Sequence, residues 1–280
     1  MKPNRSNSNM SVAQRLGLGF AGVLALLYRT GDPRVQLRPG AREPAPVGVA
    51  GLVGTVAQAK AHGSGAIAVR RLNGPAGERW VVTLPGTDRW ELPWQQHPDG
   101  AARDAGANLR AVGGAPTVYT RGVTQALHEL GVPPGARVML VGHSQGGLAA
   151  AELAGDAAFA ADYRVTHVIT VGAPIGSVPV PTGVQVLALE NDCDAVPTLE
   201  GRANPDRPNI VTVRFHTAGH AVGANHAIGV YAHAAARVDA SADSSVRAVV
   251  AGMTGYTDAT SSMVYTATIS RAVTPAAAPP

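Results

Sequence analysis

Val138-Met139-Leu140-Val141-Gly142-His143-Ser144-Gln145-Gly146-Gly147-Leu148-Ala149-Ala150-Ala151-Glu152-Leu153 is the stretch on which the reading of the fold turns. Its first four residues form an unbroken apolar run, the mark of a strand covered on both faces. From Leu148 onward the residues are strong helix formers. Between the two, Gly142 and Gly146 bracket Ser144 in a G-x-S-x-G pattern. A serine at a sharp strand-to-helix turn stands above the strand end in a strained conformation. The flanking glycines are needed because side chains there would clash with the turn. The stretch therefore predicts a nucleophile elbow, with Ser144 as candidate nucleophile.

Outward from this segment the pattern alternates. Residues 66–69 and 80–84 read as strands joined by the turn at 73–77. Residues 118–130 carry helical spacing and stop at Gly131. Strand-like runs follow at 165–171, 184–189 and 210–213, with an Ala-rich helix expected over 227–251. The chain is expected to be α/β and α/β-hydrolase-like, a mostly parallel twisted sheet with helices on both faces. We place the folded domain at 46–255. An N-terminal helix and Pro-rich linker fill 1–45, and an extension ending in an Ala/Pro tail fills 256–280. Residues 85–115, rich in Gly, Pro, Trp and His, read as an irregular loop of the kind that covers or binds ligands.

Composition works by exclusion. The chain has 280 residues, 45% apolar and only 15% charged, with a net charge of +4 carried by no patch. A single cysteine, Cys193, rules out a disulfide framework, iron–sulfur ligation and Cys-rich zinc sites. The only lysines are Lys2 and Lys60, and no Gly-Lys-Ser/Thr exists for a phosphate loop. Twelve aromatics and no basic run argue against nucleic acid as a partner. Residues 16–27 are apolar, but a bilayer span needs about 20 residues, so no integral membrane segment is expected. Lys2, Arg5 and Arg15 precede that run as in a signal peptide, which would imply export. Tyr28-Arg29-Thr30-Gly31-Asp32 offers no small-x-small cleavage site, and a cytoplasmic location is slightly favoured. Oligomeric state is left open.

Serine chemistry needs a base and an acid that orients it. On this topology they follow in the order Ser, Asp or Glu, His. After the 184–189 strand come Glu190, Asp192 and Asp194, at the strand end where an open α/β sheet builds its site. Asp194, before Ala195-Val196-Pro197, is preferred, with Asp192 and Glu190 behind it. Of His216, His220, His226 and His233, His226 lies on a loop leading into a helix and is preferred as base. Gln145 supplies one oxyanion amide, and Thr87 in Leu84-Pro85-Gly86-Thr87 the second. Trp90 and Trp94, with Leu92 in the following loop, and His143 are candidates for contact with substrate.

Leu84-Pro85-Gly86-Thr87, Gly142–Gly146, Val171-Gly172-Ala173-Pro174, Asp194-Ala195-Val196-Pro197 and His226 occur in an order that resembles class 3 (fungal-type) lipases. The resemblance covers about 65–235. It is nearest to serine hydrolases of high-GC actinobacteria, with which the Arg-over-Lys and Ala-rich usage agrees. It implies a carboxylic ester hydrolase with Ser144 as nucleophile, Asp194 as acid, His226 as base and Thr87 at the oxyanion. It implies no cofactor, and a small-molecule or lipid ester as substrate. Pro85 stands where the family usually has Arg, and no apolar lid helix is evident; both departures count against an interfacial lipase. Acyl transfer at the same site and a non-catalytic binding module remain as alternatives. A metal site on His216, His220 and His226 lacks a third-ligand pattern. Cys193, between Asp192 and Asp194, is poorly placed to be a thiolate.

Overall fold

The computed structural model describes residues 31–89, 100–217 and 223–272. β4 (Arg137–His143) is the strand read from the elbow segment. Val138, Met139, Leu140 and Val141 have no exposed surface, because helices cover both faces of the sheet at this point. β3 (Gly77–Leu84) runs parallel to it on one side and β5 (Arg164–Val171) on the other. β6 (Gln185–Asn191) and β7 (Ile210–Phe215) continue the parallel half. Beyond β3 the sheet turns antiparallel, through β2 (Ala66–Gly74), β8 (Ser261–Arg271) and β1 (Pro33–Arg42). The full order is β1-β8-β2-β3-β4-β5-β6-β7. The chain has an α/β-hydrolase-like fold.

Two cores flank the sheet. On one face α3 (Val118–Glu129), α4 (Gln145–Gly155) and α5 (Ala157–Asp162) bring Tyr119, Val123, Leu127, Ala150 and Phe159 against Leu84 and Leu140. On the other, α1 (Gly48–Ala61), α6 (Ile228–Asp239), α7 (Ser244–Gly252) and the short α8 (Thr254–Thr257) bury Leu52, Val53, Tyr231 and Val249 over Met139 and Ile169. Among the described residues no helix is long and apolar enough to cross a membrane.

Four expectations change. Residues 33–42, expected as linker, form edge strand β1. Val35 and Leu37 turn inward while Arg34, Gln36 and Arg38 alternate outward, and Pro39 and Gly40 fall at a register shift where an edge strand tolerates them. Residues 261–271, expected in a terminal extension, are β8, inserted between β1 and β2. The expected helix over 227–251 is two helices, because Asp243 accepts from the Ser245 and Val246 amides and starts α7 anew. The loop at 85–115 contains α2 (Ala105–Val112). The N-terminal helix expected in 1–45 falls on residues 1–30, outside the described residues, as does the Ala/Pro tail from 273.

The loop after β3 is braced from within. Arg103 is wholly buried, with its guanidinium bidentate on Asp88 at 2.9 and 2.8 Å and a third bond to the Ala66 carbonyl at 2.9 Å. It also lies 5.6 Å from the centre of the Tyr119 ring. Asp88 accepts in turn from the Gly65 amide. The residue before it, Thr87, is thereby fixed at the C-terminal end of β3, level with the elbow.

Candidate active site

Ser144 is the one non-glycine residue with positive φ among the described residues, at φ 55° and ψ −126°. That conformation costs on the order of 1–3 kcal/mol and persists only where the surroundings impose it. Here the backbone imposes it from both sides. The Ser144 amide donates to Val171 O on β5 at 3.0 Å, while the Ser144 carbonyl accepts from Gly147 and Leu148 as α4 begins. A Cβ on Gly146 would overlap Leu84 O, and one on Gly142 would overlap Gly146 O. The elbow is thus wedged against the end of β3, and only glycine fits at either position.

β6 leads into Asp194, the candidate acid. Asp194 is 3% exposed and accepts three hydrogen bonds: His226 Nδ1 and Tyr231 Oη on Oδ2, both at 2.6 Å, and the Val196 amide on Oδ1 at 3.0 Å. Burial alone would raise its pKa, but the bonds from His226, Tyr231 and Val196 outweigh it and hold the carboxyl below its ordinary value. The rival carboxylates lie elsewhere. Glu190 accepts from Asn204 and pairs with Arg214, and burial pushes its pKa up. Asp192 is exposed.

His226 sits at the end of a short 3-10 turn, Ala224–His226, just before α6. Neighbouring Asn225 ties this turn to the acid loop: its carbonyl accepts from Asn191 at 3.2 Å and its amide donates to Cys193 O at 3.1 Å. Because Nδ1 faces the carboxylate, the neutral His226 ring carries its proton there and leaves Nε2 as the basic atom. Nε2 is buried and has no hydrogen-bond partner among the described residues. Neither His216 nor His233 is joined to this cluster. His216 is exposed and lies 3.4 Å from Cys193 Sγ. His233 is exposed and bonds its own helix at Gly229 O. His220 is outside the described residues. Among the described residues no group of three or more His, Cys, Asp or Glu side chains is arranged to hold a metal ion.

The two oxyanion candidates converge on the elbow. Gln145 opens α4, so its amide is one of the unpaired helix-start donors. Thr87 is buried beside Gly86, where an added Cβ would come within 2.8 Å of Ser144 Cβ. Thr87 Oγ1 accepts from Asn108 Nδ2 of α2 at 3.0 Å, which leaves its O–H free to point elsewhere. Trp90 and Trp94, with Leu92, lie outside the described residues.

His143, expected to contact substrate, is 6% exposed, and its Nε2 lies 2.9 Å from the His226 carbonyl. Sequence reasoning also missed Asn108, Arg103 and the role of Tyr231. The signal for Tyr231 was its place on the helix that His226 leads into. Asn108 and Arg103 lay in what read as an irregular covering or binding loop, in which neither was singled out.

Residues 121–273 match the model of the PGAP1-like alpha/beta domain. No curated protein matches the chain. Among solved structures, the chain is similar to an esterase of Pyrobaculum calidifontis in a monoclinic form. Identity is 12% over 88% of this chain and 95% of that one, with a TM-score of 0.32. It is also similar to EstE1, a thermophilic and thermostable carboxylesterase cloned from a metagenomic library. There identity is 13% over 86% and 99% of the two chains, with a TM-score of 0.30.

Proposed function

The chain belongs to the PGAP1-like alpha/beta domain family, and from that premise we propose that it is a serine hydrolase that cleaves carboxylic esters through an acyl-enzyme. The observation that carries the reading is the 2.6 Å contact of His226 Nδ1 with the buried Asp194 carboxylate, which leaves Nε2 without a partner. That is the state of a general base waiting for a serine proton. The strained Ser144 backbone, Gln145 at the start of α4 and the buried Thr87 beside the elbow support the same assignment.

In the proposed reaction Ser144 Oγ attacks the ester carbonyl as its proton passes to His226 Nε2. Asp194 holds the ring in the Nδ1–H tautomer and stabilises the imidazolium that forms. The Thr87 and Gln145 amides receive the oxyanion, and one such donor typically contributes a factor of about 10²–10³ in rate. His226 then protonates the departing alcohol. Water, deprotonated by the same imidazole, attacks the acyl carbonyl; the bond to Ser144 Oγ then breaks, the carboxylic acid leaves, and Oγ regains its proton from His226. The low charge and few aromatics of the chain support an uncharged ester as substrate, in keeping with the resemblance of its motif order to class 3 lipases.

The test is hydrolysis of a p-nitrophenyl ester series from acetate to palmitate by the wild type and by Ser144→Ala. Turnover that disappears in the variant is the expected result, with the best chain length naming the acyl class. Equal turnover by the two proteins would overturn the reading.

A further inference from the structure

The elbow carries a second imidazole. His143 ends β4 immediately before Ser144, and its ring is packed against the ring of His226, with centroids 4.6 Å apart and planes tilted by 32°. Its Nδ1 side lies over Gly86, where an added Cβ would come within 3.1 Å. Its Nε2 meets the main-chain carbonyl of His226 at 2.9 Å. A carbonyl only accepts, so the ring must carry its proton on Nε2. Burial, reinforced by the neighbouring His226 ring, holds the His143 pKa down to about 3, so that proton is not joined by a second one in the neutral range. The titratable groups around it are His226, Asp194 and Tyr231, with Lys60 farther out on α1.

This bond differs in kind from the others that locate the base. Asn191, Thr217 and Cys193 hold Asn225, and Asp194 holds Nδ1; all of these reach the His226 turn from the β6 and β7 side. None of them refers the base to the nucleophile. The His143 N–H donated to His226 O joins the strand that carries Ser144 directly to the backbone that carries His226. It sets the distance between the two reacting side chains from the nucleophile's own end.

We propose, building on the serine-hydrolase reading above, that His143 is a positioning residue: an imidazole whose Nε2–H holds the His226 main chain, and with it the His226 Nε2, in register with Ser144. The side chain does not touch substrate and exchanges no proton in the cycle. Its geometry asks for two things at once, a flat ring to pack on His226 and a donor at the far edge. Histidine meets both. Phenylalanine keeps the ring without the donor, and glutamine keeps a donor at similar reach without the ring.

The experiment measures how fast a fluorophosphonate labels Ser144 in the wild type, His143→Phe and His143→Gln, each checked for an unchanged thermal midpoint. Labelling of His143→Phe is expected to fall about 10- to 100-fold, the scale of a misplaced reacting pair, with His143→Gln restored to within about threefold of wild type. Wild-type protein that is labelled while the Phe variant reacts equally fast, or a Gln variant no better than Phe, overturns the positioning role alone. Wild-type protein that is never labelled overturns the serine-hydrolase reading and the role with it. Long-range proton–nitrogen spectra of the wild type give a readout that needs no variant. His143 is expected as the neutral Nε2–H tautomer throughout about pH 5–8. A ring that titrates in that range, or is protonated on Nδ1, contradicts the proposal even if both variants fail to fold.

Discussion

Tyr231→Phe removes one oxygen atom from a buried network and leaves the rest of the side chain in place. The ring still packs edge-on against Phe215, at 5.3 Å between centroids, and still fills the space beside Gly172. What disappears is the 2.6 Å bond from the phenol to Asp194 Oδ2. A hydrogen bond to a charged acceptor contributes about 1.5–3 kcal/mol. For a domain of this size each kcal/mol moves the midpoint by about 2–4 °C, so the variant is expected to melt about 3–12 °C lower near neutral pH. The sign of the pH dependence follows from the carboxylate. Asp194 has its pKa held below the unfolded value, so its stabilising contribution is present above the unfolded pKa and lost as pH falls through the folded one. Removing one of its donors therefore costs the full amount at neutral pH and progressively less in acid. Thermal unfolding of both proteins, followed by circular dichroism across the acid and neutral range, reads this out. Midpoints that coincide at neutral pH, or a gap that widens on acidification, would refute a phenol donating to an ionised Asp194.

Further outcomes follow from the same contacts. Gly86→Ala would set a methyl group 2.8 Å from Ser144 Cβ and 3.0 Å from His143 O, and ester turnover is expected to fall by more than about 100-fold with the circular dichroism spectrum intact. Asp194→Asn offers His226 Nδ1 an amide that no longer fixes the tautomer, and a loss of about 10³–10⁴ in kcat is expected. Arg103→Met strips the wholly buried guanidinium from Asp88, and the urea midpoint is expected to show a loss of about 3–5 kcal/mol.

What could be read from the sequence is what is determined locally. The elbow needs only a strand run, two glycines and a helix former within a few residues of one another. The pairing of Asp194 with His226 follows from chain order at strand ends. The misread elements owe their structure to partners far along the chain. Strand β1 looks like a linker because Pro39 and Gly40 interrupt it, yet its ladder is completed by β8, with Val35 opposite Ile269 and Leu37 opposite Ala267. Helix α1 has no capping side chain of its own at Val47; the carboxylate of Asp239, at the end of α6, accepts from the Val49 and Ala50 amides instead. The direction of a side chain is equally non-local. His143 turns its Nε2 to the His226 carbonyl because the turn before α6 lies over the end of β4. The break between α6 and α7, in contrast, was legible in Asp243-Ser244-Ser245, a helix-start signal overlooked within an Ala-rich run.

Covalent capture of Ser144 bears most directly on whether this fold houses an acyl-transfer site. Folded protein is treated with a fluorophosphonate at about pH 8, and the adduct is located by peptide mass spectrometry. A single adduct on Ser144, absent from Ser144→Ala and much reduced in Asp194→Asn, is the expected result. Folded protein that takes up no label, or takes it up on another serine, would contradict the assignment of Ser144 as nucleophile.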